Sequence, residues 1–288
     1  MRRLVRSPQS QARHGGTVEL AESVKVARRL VEVLASERTS AIDRVRMARQ
    51  RHEPTPPSAL RPAAVDDPAA ALHRLLRADF PCAACTQFST VGRQELMARL
   101  ERVGAKPHGP HDGGALLLEV LWTCTSHVRP DTAVETGVAR GLSSATMLAA
   151  MEANGSGRLY SIDLPAIRSE WFEGSKVAVP PEARHRWTYI RRSAERELPR
   201  LIGRLGGIDL FVHDSLHTYG HMSFEFEHAW EALRPGGVLV TDDVFDNRAF
   251  DDLVARLPDG TPWLVAAEPV KGGGGVGVVR KPSMEPGS

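Results

Sequence analysis

From Thr132 onward, short β-rich runs alternate with helical stretches, and this alternation constrains the fold more than any other feature. The runs are Thr132–Thr136, Arg158–Ile162, Trp187–Ile190, Ile208–His213, Gly237–Thr241, Trp263–Ala267 and Val276–Val279. Such a pattern predicts an α/β domain with a doubly wound, mostly parallel seven-stranded sheet and helices on both faces. The last two runs flank Lys271-Gly272-Gly273-Gly274-Gly275 with no helix between them, so the chain should end in an antiparallel hairpin.

The first 128 residues read differently. Residues 1–52 carry twelve Lys/Arg against five Asp/Glu. Leu20, Val24, Ala27, Val31 and Leu34 recur at 4-3-4-3 spacing, one stripe of a helix that either packs on its own domain or builds a homo-oligomer. Pro54-Thr55-Pro56-Pro57 and Pro62 then break helical continuity. Helices are predicted over 68–79, 92–104 and Gly113–Val128. These boundaries divide the chain into a basic arm with a Pro-rich linker (1–62), a helical cap (63–128) and a ligand-binding domain (129–288). A net charge of +2 excludes a dedicated nucleic-acid binder. No apolar run approaches the ~20 residues of a membrane span, and no signal peptide is expected at Met1-Arg2-Arg3-Leu4-Val5-Arg6. Three cysteines cannot make a disulfide framework, so a cytoplasmic location is expected. Cys82-Ala83-Ala84-Cys85 lacks the second pair of a zinc ribbon and reads as incidental thiols.

The sharpest local signal is Ala133-Val134-Glu135-Thr136-Gly137-Val138-Ala139-Arg140-Gly141-Leu142-Ser143-Ser144. A strand runs through two glycines into a helix, the turn that opens the ligand crevice of a doubly wound sheet. The next strand ends in Asp163, whose carboxylate can accept both hydroxyl hydrogens of a ribose. Dinucleotide sites favour Gly-x-Gly-x-x-Gly, but these glycines are four apart and Glu135 precedes them by two. An acid there repels a pyrophosphate and suits the amine of S-adenosylmethionine.

At this point the sequence resembles the class I S-adenosylmethionine-dependent methyltransferases, whose fold is Rossmann-like. Glu135-x-Gly137-x-x-x-Gly141 is similar to the family's first motif and Asp163 to its ribose-binding acid. Val212-His213-Asp214 and Leu233-Arg234-Pro235-Gly236-Gly237-Val238-Leu239-Val240 resemble the family's fourth strand end and its approach to strand five. The resemblance implies a cofactor site of Glu135, Gly137, Gly141, Ser143, Asp163 and Asp214. Ser193 joins it beside the adenine, although Arg191 and Arg192 stand where Gly-Asp is usual.

Within the class, the chain looks most like small-molecule O-methyltransferases of the macrolide-sugar and catechol types. Asp214 ends strand four, and Asp242 and Asp243 end strand five. Adjacent strands lie about 4.8 Å apart, so the three carboxylates should converge and hold a hard cation such as Mg²⁺. His217 falls where the catechol branch has a lysine base, with His213 as a second candidate. Other readings stay open: Asp242 and Asp243 as turn and helix caps, nitrogen as the acceptor without metal, or an S-adenosylmethionine-binding protein without turnover. Tyr219, Phe224, Phe226 and Trp230 read as core, and Trp171 and Phe172 as a lid or acceptor wall. The expected partner is a small hydroxylated molecule. It would be a cytoplasmic enzyme.

Overall fold

The computed structural model describes residues 27–28, 31, 38–61, 67–102, 114–164, 176–267 and 274–283. Its centre is a seven-stranded sheet: β1 (Thr132–Thr136), β2 (Arg158–Asp163), β3 (Trp187–Arg191), β4 (Ile208–His213), β5 (Leu233–Thr241), β6 (Trp263–Ala267) and β7 (Gly275–Arg280). The strand order is β3-β2-β1-β4-β5-β7-β6. Strands β1 to β5 pair in parallel, and β7 lies antiparallel between β5 and β6. The predicted hairpin is therefore present, with its second strand inserted beside β5. The chain winds outward from β1 to β3, then returns to the other side of β1 with β4. That reversal leaves a crevice at the carboxyl ends of β1 and β4.

Two apolar layers sandwich the sheet. One face is covered by α6 (Leu142–Asn154) and by helices from the N-terminal part of the chain. These are α2 (Pro68–Leu76), α3 (Ala83–Gln87), a π-helical turn over Phe88–Gly92, α4 (Arg93–Arg102) and α5 (Ala115–Val128). Leu117, Leu118 and Leu121 of α5 are fully buried, and Phe88 stacks on Trp122 at 4.5 Å. The opposite face carries α7 (Ala194–Leu205), α8 (Tyr219–Ala232) and α9 (Ala249–Ala255), with Phe211, Phe226 and Phe250 at its centre. The segment read as a cap is thus one of the two layers packed on the sheet.

Local chemistry sets the helix ends. Asp67 caps α2, accepting a bond from the Ala70 N–H at 3.0 Å, and Pro68 occupies the first turn. Gly155 ends α6 with φ 72. The Pro-rich stretch is seated on the domain: Ser58 Oγ and the Ala59 N–H both bond Asp251, and the Arg248 N–H bonds the Pro56 carbonyl.

Helix α1 (Arg38–Gln50), within the arm, lies against α7. Arg196 forms a fork onto Asp43 at 2.8 and 3.0 Å, and Arg46 reaches Glu195 at 3.3 Å. Of the 4-3-4-3 stripe, Ala27 and Val31 are helical and exposed, whereas Leu20, Val24 and Leu34 lie outside the described residues. Trp171 and Phe172 lie outside them too. No helix among the described residues is long and apolar enough to cross a membrane.

Candidate active site

Two glycines shape the crevice. Gly137 has φ 82, and a Cβ there would collide with the Asp214 carbonyl, so this turn lies directly against the end of β4. Gly141 has φ 89, with Val179 and the Lys176 backbone where a Cβ would go. Backbone bonds extend the ladder past the strand ends. The Gly137 N–H reaches the Ile162 carbonyl, Asp214 N–H reaches Thr136, and Asp242 N–H reaches His213. The three sequence signals at Gly137, Asp214 and Asp242 therefore come together in space.

Asp163 sits at the end of β2 beside the turn. It accepts bonds from the Val138 N–H and from the Tyr189 hydroxyl, the latter at 3.3 Å. Burial pushes its carboxyl up to about 6, against the Tyr189 and Val138 bonds and the Arg44 charge from α1. Ser193 is buried at the start of α7; burial would push the nearby Asp43 carboxyl up, but the Arg196 fork holds it below its ordinary value.

Glu135 and Ser143 differ from expectation. Glu135 is 0% exposed and accepts hydroxyl bonds from Ser143 (2.5 Å), Ser144 (2.5 Å) and Ser161 (2.6 Å). Side chains alternate along β1, so Glu135 faces α6 and β2 rather than the crevice mouth. Burial pushes it up to about 7 despite those three donors. The sequence reading makes Glu135 a partner for a ligand amine; in the structure its carboxylate is engaged by three serine hydroxyls. It braces the glycine turn from behind, and the Ser143 hydroxyl is occupied in that bracing.

Thr136, the next residue, points the other way, into a network that sequence reasoning missed. Glu225 on α8 is fully buried and accepts from Thr136 Oγ1 (2.5 Å) and Ser215 Oγ (3.0 Å). It also contacts His213 Nδ1 at 2.6 Å and His221 Nε2 at 2.9 Å. His221 approaches Glu195 at 3.7 Å, and Gln50 of α1 donates to the same carboxylate. His213 thus faces the buried Glu225, and burial holds its imidazole below the ordinary value. A helical Glu four residues after a His was the available signal.

His217 stands between two of the expected acids, with Nδ1 2.7 Å from Asp243 and Nε2 3.7 Å from Asp214. Burial alone would depress the imidazole; Asp214 and Asp243 overcome that and push it up to about 10. Asp243 has φ 48, a left-handed conformation that a short polar side chain tolerates. Of the three acids expected to converge, Asp214 and Asp243 flank His217. Among the described residues, the acids with metal-ligand spacing here are Asp243 and Asp246, together with His217. Asp242 is buried, 1% exposed, behind them. Just before α9, Asn247 Oδ1 accepts from the Ala249 N–H at 2.8 Å.

Residues 134–244 match a family model described as a methyltransferase domain. Comparison with curated proteins gives no match. Among solved structures, the chain is similar to an O-methyltransferase of tomaymycin synthesis from Streptomyces achromogenes, solved in complex with SAM. That pair shares 18% identity with TM-score 0.50, covering 68% of this chain and 95% of the other. It is also similar to an O-methyltransferase from Bacillus cereus in complex with SAH: 16% identity, TM-score 0.49, covering 74% and 97%. A SAH-bound methyltransferase from Podospora anserina matches at 15% identity, TM-score 0.48, covering 78% and 99%.

Proposed function

We propose, from the premise that residues 134–244 are a methyltransferase domain, that it carries a methyl group from S-adenosylmethionine to a hydroxyl of a small molecule. One observation carries this reading: His217, Asp214 and Asp243 stand where the carboxyl ends of β4 and β5 meet the Gly137 turn. An acid–base group thus lies next to the turn where this fold takes its ligand.

In this reading Gly137 and Gly141 let the backbone approach the cofactor, and Asp163 accepts the two ribose hydroxyls. Ser193 flanks the adenine, and the acceptor hydroxyl lies toward His217. Methyl transfer is an in-line displacement, so holding the acceptor oxygen about 3 Å from the methyl carbon supplies much of the rate. With its pKa near 10, His217 alone is an imidazolium at neutral pH and donates to the two carboxylates. A divalent cation such as Mg²⁺ held by Asp214, Asp242 and Asp243 would polarise the acceptor oxygen and, by engaging these acids, leave the imidazole free to accept the proton. The hard carboxylate donors suit such an ion, although Asp242 would have to join from its buried position. We also propose self-association through the N-terminal arm.

Calorimetry with S-adenosylmethionine and NAD, and a mass-spectrometric screen of hydroxylated metabolites for one added methyl, test the function. Asp163→Ala should weaken S-adenosylmethionine by removing charge-assisted bonds worth about 1.5–3 kcal/mol each. His217→Ala should slow turnover about 10²–10⁴-fold, the usual contribution of a positioned base. In the wild type, chelation should shift the alkaline rise of the rate toward pH 10. Tight NAD binding with indifference to S-adenosylmethionine overturns the cofactor; unchanged rates in EDTA overturn the cation.

A further inference from the structure

The fold gives Cys82 and Cys85, read from sequence as incidental thiols, two histidine neighbours. His73 from α2 and His127 from the last turn of α5 stand beside the Cys-x-x-Cys, so that one donor atom from each of the four residues lies within 4.8 Å of all the others. In sequence His127 is 42 residues beyond Cys85, a gap that hides the set. His127 lies just before the amino end of β1, whereas the glycine turn, Asp163 and His217 follow the carboxyl ends of strands.

We propose that His73, Cys82, Cys85 and His127 form a structural zinc site. The donor set, two thiols and two imidazoles, is one that tetrahedral Zn²⁺ takes. Cys85 Sγ lies 3.6 Å from His127 Nε2. A sulfur and a nitrogen bound at ordinary zinc distances to one tetrahedral ion lie about 3.6 Å apart. The remaining edges of such a tetrahedron are about 3.3–3.8 Å, so the cluster needs only a small contraction to close.

An independent observation points the same way. His73 is 2% exposed, and its Nδ1 lies 2.7 Å from the Ala69 carbonyl one helical turn back. That bond places the proton on Nδ1 and leaves the Nε2 lone pair outward, the tautomer a metal ligand requires. Nε2 is shielded from solvent and has no hydrogen-bond partner. A buried acceptor without a donor is costly, and an ion at the centre of the four groups satisfies it. The Cys85 N–H meanwhile donates to Cys82 Sγ at 3.5 Å. The ion would tie α2, the start of α3 and the end of α5 together. Those are three of the helices that cover one face of the sheet.

The test uses the full chain purified under reducing conditions, stripped by a chelator and refilled with Zn²⁺ or Co²⁺. Elemental analysis should return one tightly held zinc per chain. The cobalt protein should show the strong visible bands and thiolate charge-transfer absorption of a tetrahedral site. His73→Gln and Cys85→Ser should each lose the retained metal, whereas Asp243→Asn should keep it, which separates this site from the crevice. Stripping should lower the Tm and speed hydrogen exchange over residues 73–92. If Cys85→Ser fails to fold, the wild-type cobalt spectrum decides alone. A wild type that takes up no zinc after reduction, a cobalt spectrum without thiolate absorption, or a folded Cys85→Ser that retains the ion overturns the proposal.

Discussion

At the scale of single residues, Glu225 is the centre of a buried polar network. Its two oxygens serve Thr136, Ser215, His213 and His221, and the side chain is fully buried. Burial would push the carboxyl up, but His221 and then His213 hold it well below the usual carboxylate range. Burial likewise opposes the charge on His221, and Glu225 and Glu195 overcome it, pushing that imidazole up to about 9. Glu225→Gln replaces one accepting oxygen with a donor and leaves buried partners facing it, a change that costs about 3–5 kcal/mol in comparable pairs. The sign of the pH effect follows from His221. Its folded value lies above its ordinary 6.5, so its contribution is complete below about pH 6.5 and is lost as pH rises through about 9. Urea unfolding should therefore show the largest wild-type advantage over Glu225→Gln near pH 6, narrowing toward pH 9. A difference that grows with pH would contradict the assignment.

At the scale of elements, the strands were legible because β-branched and apolar runs of ordinary length sit between helices and turn residues. Thr132–Thr136, Ile208–His213 and Trp263–Ala267 agree end to end with the structure. Helix α1 was not legible. Its apolar residues Ile42 and Val45 are exposed, so periodicity gives no core face to detect. What fastens α1 is polar: the Asp43–Arg196 fork, and Arg46 and Gln50 on Glu195. Side-chain pairs 150 residues apart leave no local pattern in a sequence. Because those contacts hold α1 near Asp163 and α7, Asp43→Ala should release it while leaving the sheet intact. Hydrogen–deuterium exchange should then rise over residues 38–50, with β1 and β4 unchanged. Equal protection of 38–50 in both proteins would show that other contacts suffice.

At the scale of the whole molecule, the sequence carries the sheet and the order of its motifs, while the direction of each polar side chain depends on packing. Gly137, Asp163 and Asp214 lie at strand ends beside the crevice, and His217 lies in the loop after β4. The place of Glu135 in the β1 alternation turns its side chain toward α6 and β2, where Ser143, Ser144 and Ser161 donate to it. The same limit hid the Cys and His cluster, whose members come from three helices. It also bears on assembly, where the predicted stripe leaves Val31 64% exposed and α1 adds Ile42 at 59% and Val45 at 55%. Burying branched side chains of this kind yields about 1.5–3 kcal/mol each, enough together to favour a symmetric pairing of two arms. The double change Ile42→Glu with Val45→Glu removes that gain and sets like charges opposite each other across a two-fold. It leaves Asp43, Arg46 and Gln50 free to dock α1 on its own domain. Light scattering should therefore report a dimer or larger species for the wild-type chain and a monomer for the variant, with unfolding midpoints alike at low concentration. A wild type already monomeric at high concentration would end the assembly reading and leave α1 as an intramolecular strap.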